Sequence, residues 1–523
     1  MSITGEALIG GVAERGAAGS FKAWDPTRRD YLEPSFHMVD AGQIDRACTL
    51  AGEAFDIFRV TSDQERARFL DTVAEQILAI GDALIERAML ETGLPRARLE
   101  GERGRTVGQL RLFAELLREG SWRDARMDTA LPERSPPRPD LRYQLIGVGP
   151  VAVFAASNFP LAFSVAGGDT ASSFAAGCPV VLKAHSAHPG TSELVARAVV
   201  KAVQLCGLPA GVFALLTGTG NGIGQALVGH PAIQAVGFTG SRSGGTALMA
   251  VAAARKQPIP VYAEMSSINP LIILPQALAA RAADIGKGFA ASLTMGVGQF
   301  CTNPGLVLAL EGPGLDQFCG AAIEALSATA AAVMLNQGIA GSYHKSVDAL
   351  RSHSAVTTLA RVEHDEGKGG AALFRTSAAQ FLARHELHDE VFGPASVLVV
   401  CQGFDELRAV LELLEGQLTA TLQIDEGDYA AAQALLPVLE RKVGRILANG
   451  FPTGVEVSTA MVHGGPFPAT ADGRSTSVGT AAIERFLRPV CYQNLPQALL
   501  PTPLRNGNPL GIWRRTDGAL TKE

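Results

Sequence analysis

Residues 146–265 repeat one pattern: a short apolar run, then a stretch of helical spacing. The runs occupy 151–155, 179–182, 212–216, 234–238 and 259–263, with helical patterns near 162–176, 190–204, 222–229 and 243–254. Runs of four or five residues suit buried strands, and strands joined by helices pair in parallel rather than as hairpins. This predicts an α/β fold built on a Rossmann-like parallel sheet with helices on both faces and a ligand at the strands' carboxyl ends. The residues at those ends are Ser157-Asn158, Lys183, Gly218-Thr219-Gly220, Thr239-Gly240-Ser241 and Glu264. They make a nucleotide-site layout, although the strict G-x-G-x-x-G fingerprint is absent and the Gly-rich loop alone is a weak signal.

The remaining sequence divides around this sheet. Residues 1–60 carry turn signals at Gly16, Gly19 and Asp25-Pro26 without a readable role. Ser62-Asp63-Gln64-Glu65 forms a capping box before a helix whose apolar face holds Phe69, Leu70, Val73 and Ile77. A second helix starts at Asp82 and ends at Gly93 and Pro95, and a third covers 100–117. Residues 123–145 hold prolines at 132, 136, 137 and 139 and read as an extended excursion outside the core. A second α/β region follows over 266–485, with strands at 306–310, 396–400, 420–424 and 445–447 and helices at 315–326, 406–414 and 429–442. An extended strand at 486–495 and a surface tail over 501–523 close the chain. The domain organisation expected is therefore 1–122 with 146–265 as dinucleotide-binding domain, 266–485 as catalytic domain, and 123–145 with 486–500 as oligomerisation segments.

Composition excludes several classes of function. A net charge of −6 offers no basic face for nucleic acid or anionic membranes. No apolar run is long enough to span a bilayer, and the first residues lack the basic and apolar regions of a secretory signal. Seven scattered cysteines form neither a metal-spaced pair nor a disulfide framework, so no metal is expected and the reducing cytoplasm is the expected compartment.

One cysteine stands apart. Gly298-Gln299-Phe300-Cys301-Thr302-Asn303-Pro304-Gly305 follows an apolar helical stretch at 278–295 and places Cys301 on a loop at a helix end. Most free cysteines are buried packing residues. A thiol works as a nucleophile only where a base or positive partial charge supports the thiolate. Glu264 also invites a functional reading, since a glutamate ending an apolar strand is costly to bury unless paired.

The chain resembles the aldehyde dehydrogenase family over nearly its whole length. The resemblance rests on Asn158-Phe159-Pro160, Lys183, Phe238-Thr239-Gly240-Ser241, Glu264, Gly298-Gln299-x-Cys301 and Glu390-Val391-Phe392-Gly393-Pro394, in that order. It implies that Cys301 attacks an aldehyde carbon to form a thiohemiacetal, that the Asn158 amide and the Cys301 N–H receive the oxyanion, and that Glu264 activates water to hydrolyse the thioester. It further implies that Glu390 holds the nicotinamide ribose, that Phe392 packs against the cofactor, and that Gly240 and Ser241 meet the pyrophosphate. N-capping alone would also explain Ser241. At least a dimer is implied, with a homodimer or homotetramer expected.

The sequence also departs from the family. Glu264-Met265-Ser266-Ser267-Ile268-Asn269-Pro270 replaces the commoner Glu-Leu-Gly-Gly-Lys, and the late Gly-rich signature becomes His463-Gly464-Gly465-Pro466-Phe467-Pro468. Ala263-Glu264-Met265-Ser266-Ser267-Ile268-Asn269-Pro270, Gln299-Phe300-Cys301-Thr302-Asn303-Pro304-Gly305 and Arg485-Phe486-Leu487-Arg488-Pro489-Val490 are similar to a branch of α-ketoglutaric semialdehyde (2,5-dioxovalerate) and NADP-dependent fatty aldehyde dehydrogenases. The leading expectation is oxidation of 2,5-dioxopentanoate to 2-oxoglutarate. The alternative is NADP-dependent oxidation of medium- or long-chain aliphatic aldehydes. Formation of an acyl-CoA is disfavoured by retention of Glu264, and a non-catalytic relative by retention of Cys301. NADP is expected to be preferred over NAD, because Ser186 stands where many NAD-preferring relatives carry glutamate, while Lys183 supplies positive charge. A dioxo-acid substrate needs a cationic partner, and Arg474, in the divergent late segment, is the candidate.

Overall fold

The computed structural model describes residues 2–522 and contains two seven-stranded sheets and a smaller five-stranded one, besides two-stranded pairs. The first sheet has the order Val261–Glu264, Ala235–Thr239, Val151–Phe154, Val180–Lys183, Phe213–Leu216, Ala7–Ile9, Val12–Glu14. Its first five strands are parallel, in the order the alternating pattern requires. The chain winds outward from Val151–Phe154 in one direction, then returns to add Ala235–Thr239 on the other side. That reversal opens a crevice at the carboxyl ends. The last two strands are antiparallel additions from the N-terminus, which sequence patterning left unassigned because each has only three residues.

The helices covering this sheet follow the capping signals. Ser62 and Glu65 make the reciprocal capping box, and the helix Asp63–Ala79 buries Phe69, Leu70, Val73 and Ile77. The helix Arg96–Glu119 is longer than its sequence signal, starting directly after Pro95 and ending at the left-handed Gly120. Phe58, Phe69, Phe174 and Phe213 meet edge-on in the core that these helices make with the sheet.

The second sheet has the order Thr357–Arg361, Ala372–Ser377, Ala395–Cys401, Leu306–Leu310, Leu271–Ile273, Gln417–Gln423, Val443–Ala448. All pairs are parallel except that of Thr357–Arg361 with Ala372–Ser377. The helix Pro275–Thr294 packs on this sheet and delivers the chain to the nucleophile loop. The strand Leu271–Ile273 and the helix Gln337–Ser352 were not read from sequence. The strand is short, and the helix dilutes its good formers with Gly338, Gly341, Ser342 and Ser346.

In the small sheet, Leu487–Gln493 pairs antiparallel with Leu141–Gly147, which pairs with Arg126–Asp128. The expected surface tail is corrected here. Arg514–Thr516 adds parallel to Arg126–Asp128, and Ala519–Thr521 closes that edge. Leu504, Ile512 and Arg514 are buried. The prolines and glycines that suggested a loose tail shape the turns between packed segments. No helix among the described residues is long and apolar enough to cross a membrane.

Candidate active site

The nucleophile loop is held by an unusual backbone. Gly296 and Val297 follow one another in the left-handed region, at φ 56° and 58°. For a β-branched residue this costs on the order of 1–3 kcal/mol, so the surroundings must impose it. Gly298 follows at φ 64°, and a Cβ there would lie 2.3 Å from the carbonyl carbon of Gly393. Only glycine permits that approach, which presses the Cys301 loop against the segment bearing Glu390 and Phe392. Side-chain amides then lock the loop. Asn269 Nδ2 donates to the carbonyls of Cys301 and Asn303, both at 2.9 Å, and Asn303 Nδ2 donates to the Gly393 carbonyl at 3.0 Å.

Cys301 sits among three functional groups. Asn158 is buried and its Nδ2 donates to the Gln299 carbonyl at 3.1 Å, leaving the second amide hydrogen available. Glu264, at the end of Val261–Glu264, is 3% exposed. Its Oε1 lies 2.9 Å from His463 Nε2, and its Oε2 accepts from Ser477 Oγ at 2.7 Å. His463 Nε2 also stands 3.4 Å from Cys301 Sγ. Its other ring nitrogen is buried without a partner among the described residues, so Nε2 makes the ring's contacts to both groups.

The electrostatics follow from these contacts. Burial alone would raise the Glu264 carboxyl, but the charge and hydrogen bond of His463, with hydrogen bonds from Ser477 and Cys301, hold it below the ordinary range. Burial pushes the Cys301 thiol well up, and the carboxylates of Glu264 and Glu390 add to the effect. The resting group is thus a thiol donating to an ionised Glu264. Sγ, Nε2 and a carboxylate oxygen lie within 4.8 Å of one another, a donor set that zinc accepts.

A cavity of about 440 Å³ opens on Cys301, Glu264 and Asn158, and its walls include Thr239, Gly240, Ser241, Glu390, Phe392 and His185. Ser241 caps the helix Arg242–Ala253 by accepting from the Gly244 N–H at 3.2 Å, so its hydroxyl serves the cap while the helix N-terminus faces the cavity. Glu390 receives only a long 3.5 Å bond from the Ser267 N–H and one from the Ser266 hydroxyl, and burial pushes its carboxyl up to about 7. It is an underused acceptor, suited to the hydroxyls of a ribose. Lys183 ends its strand, where burial lowers its amine to about 8. Lys183 and Ser186 flank the cavity's His185 in sequence but are not among its wall residues.

Arg474 is not part of this site. Its side chain is 92% exposed and pairs with Asp472 at 3.2 Å, as a surface charge. The late segment reaches the site instead through His463 and Ser477, because Met265 N–H donates to the Ala469 carbonyl and Ala471 N–H to the Ala263 carbonyl. Sequence reasoning also missed Asn269, Arg98, Arg105 and Arg445. A signal existed for two of these: Arg98, Glu102 and Arg105 recur at helical spacing among the inward Leu99, Val107 and Leu110.

Comparison with known proteins agrees with this geometry. Residues 14–465 match the model of the "Aldehyde dehydrogenase family". The chain is 59% identical over 522 residues to an alpha-ketoglutaric semialdehyde dehydrogenase 2 of Azospirillum brasilense, covering 99% of each chain. It is 52% identical to an alpha-ketoglutaric semialdehyde dehydrogenase of Acinetobacter baylyi, covering 96% of this chain and 95% of that one. Among solved structures, an aldehyde dehydrogenase C mutant from Pseudomonas syringae in complex with NAD+ and octanal superposes with a TM-score of 0.80 at 21% identity, covering 95% of this chain and 98% of that one. The chain belongs to the aldehyde dehydrogenase family, whose members oxidise aldehydes to acids with NAD or NADP.

Proposed function

We propose that this protein oxidises 2,5-dioxopentanoate to 2-oxoglutarate, with NADP preferred over NAD. The observation that carries the reading is the gathering of Cys301, Glu264 and Asn158 on one cavity whose far wall offers Gly240, Ser241, Glu390 and Phe392. The substrate assignment draws on the names of the two relatives above 50% identity.

The residues divide the work. Glu264 takes the thiol proton across the hydrogen bond it already receives from Cys301, and the sulfur attacks the aldehyde carbon. The free amide hydrogen of Asn158 and the backbone N–H of Cys301 receive the oxyanion of the thiohemiacetal. The bound cofactor supplies the hydride acceptor. Loss of hydride from carbon leaves a thioester on Cys301. Glu264 releases the thiol's proton to solvent and, ionised again, deprotonates water for attack on that thioester; the acid leaves and the departing sulfur takes the proton back as the thiol. His463 and Ser477 steady the carboxylate through both roles. Glu390 positions the ribose and Phe392 flanks the ring.

Cofactor choice rests on the neutral Ser186 and cationic Lys183 after Val180–Lys183, which lack the acidic residue that repels a 2′-phosphate. The small sheet favours a homo-oligomer. Leu487–Gln493 lies at its edge with one side unpaired among the described residues, and such edges seek partners. We place the enzyme in the cytoplasm, with 123–145 and 486–500 joining subunits and the two large sheets as cofactor and catalytic domains.

The test is cofactor reduction by purified protein with 2,5-dioxopentanoate, shorter semialdehydes and aliphatic aldehydes. The semialdehyde should give the highest kcat/KM. A higher value for octanal would replace this substrate with the aliphatic alternative.

A further inference from the structure

Outside the walls of the cofactor cavity, three arginines stand close enough to Cys301 to feel its charge. Arg98 and Arg105 stand two helical turns apart on Arg96–Glu119, and Arg445 projects from Val443–Ala448. Their circumstances differ. Arg98 is committed: its guanidinium lies over the rings of Phe300 and Phe159, at 4.4 and 4.8 Å from their centres. It donates to the Asn158 carbonyl at 2.9 Å, and Glu102 lies 3.9 Å away. Its work is to hold the oxyanion side of the site.

Arg105 and Arg445 have no such pairing. Among the described residues neither has a carboxylate within ion-pair distance, and each is held by backbone carbonyls of one loop. Arg105 donates to the Val455 carbonyl, while Arg445 donates to those of Gly454 at 3.0 Å and Pro452 at 2.7 Å. Carbonyls of the one loop, 452–455, therefore hold both guanidinium groups. Each also keeps a buried Nε–H without an acceptor. Both side chains remain partly accessible, and Arg105 lines a further cavity of about 440 Å³ with Arg111, Glu456 and Val457. Arg105 also lies over Phe163, 5.8 Å from its centre, and that ring is 6.1 Å from His463. Two half-buried cations without an ion-paired carboxylate among the described residues, both within reach of the charge of Cys301, cost free energy that an anionic ligand would return.

We propose that Arg105 and Arg445, tethered to the loop 452–455, form the subsite for the carboxylate at the far end of the aldehyde substrate. The subsite selects ω-oxo acids over neutral aldehydes: the forked guanidinium donors suit a carboxylate, and a neutral chain leaves them unpaired. The inference rests on the semialdehyde reading and supplies the anchor that Arg474 does not.

The experiment compares kcat/KM for 2,5-dioxopentanoate and for pentanal in the wild type, Arg105→Gln, Arg445→Gln and Arg105→Lys. Loss of a buried partner to a carboxylate is expected to lower kcat/KM for the semialdehyde about 30-fold or more, mainly through KM. The fall with pentanal should be at least about tenfold smaller, and Arg105→Lys should recover part of the loss. Equal losses with both substrates would assign the arginines a structural role and overturn the proposal, as would an unchanged KM for the semialdehyde. If the wild type proves inactive on 2,5-dioxopentanoate, the substrate reading fails separately. The same variants are then scored with succinic and glutaric semialdehydes against their neutral analogues. A preference for anionic aldehydes that the arginine variants lose sustains the subsite, and a wild type with no such preference refutes it.

Discussion

Cys301 has two unlike sides. The cofactor side is made of strand ends and turns: Thr239-Gly240-Ser241, the segment at Glu390 and Phe392, and the crevice where the sheet reverses. The substrate side is made of side chains sent from afar, with Arg105 on a helix, Arg445 on a strand of the second sheet, and His463 and Ser477 on an irregular segment. The cofactor side depends on backbone geometry, which a few residue types at fixed places specify. The substrate side depends on which long side chains happen to converge, and chain order says little about that. The two sides should therefore respond differently to substitution.

The largest effect is expected where the sides meet. Cys301→Ala should abolish aldehyde oxidation while cofactor affinity changes by less than about threefold, because no cavity wall besides the thiol is lost. A cofactor titration by fluorescence, run beside the activity assay, separates the two, and a variant with appreciable turnover would defeat the covalent mechanism. Glu264→Gln comes next. Steady-state turnover should fall by about 10²–10⁴-fold, while the first burst of reduced cofactor in stopped flow slows less than this and is not lost, because acylation needs Glu264 only for the thiol proton whereas deacylation needs it to activate water. A burst slowed as much as steady-state turnover would show that taking the thiol proton is the more demanding of the two tasks of Glu264.

The third test sharpens the contrast, because His463 belongs to the substrate side and touches both catalytic groups. His463→Gln removes an interaction that holds the Glu264 carboxyl below its ordinary range, and leaves burial to push it up. A base must be ionised to act, so the acid limb of the pH–kcat profile should move to higher pH. At neutral pH, kcat should fall by about tenfold or more. A profile that only drops in height, with the limb in place, would make His463 a packing residue.

Most of the cofactor side was legible because its constraints are local. The alternating pattern predicted the five parallel strands, and their carboxyl ends supplied Asn158, Gly240, Ser241 and Glu264. Three-residue strands such as Ala7–Ile9 and Leu271–Ile273 gave too little periodicity to read. On the substrate side, Arg474 was chosen for lying in the divergent segment, yet the residues of that segment that matter are the uncharged Ser477 and the buried His463. Their value comes from a backbone bridge between Glu264 and Thr470, a pairing across two hundred residues that no local pattern announces.

A smaller effect is expected at the adenosine end. Ser186→Glu introduces a charge that repels a 2′-phosphate and accepts from a 2′-hydroxyl, so preference should move toward NAD by about 10- to 100-fold in the ratio of kcat/KM values. The measurement compares both cofactors in both proteins, and a wild type that strongly favours NAD would remove the premise.

The smallest effect belongs to Glu390, whose site function works against its stability. Burial raises its carboxyl from 4.5 to about 7. The folded chain therefore holds this proton where the unfolded chain has released it. The stabilising contribution is full below pH 4.5 and is lost as pH rises through 7, so at pH 8 the folded protein carries a partly buried charge at a cost. Glu390→Gln removes that charge while keeping the shape. The cofactor-free variant should be more stable than wild type at pH 8 by on the order of 1–2 kcal/mol, and nearly equal to it at pH 5. Cofactor binding should change the opposite way. Gln accepts hydroxyl hydrogen bonds more weakly than a carboxylate, so affinity should fall about tenfold at pH 8. In the wild type, affinity should weaken as pH drops below 7 and the carboxylate is protonated. Thermal melting and cofactor titration at the two pH values test both signs together. A stability difference that is the same at pH 5 and pH 8 would show that the Glu390 charge carries no penalty, and the cofactor side would then not be holding an acceptor in reserve for the ribose.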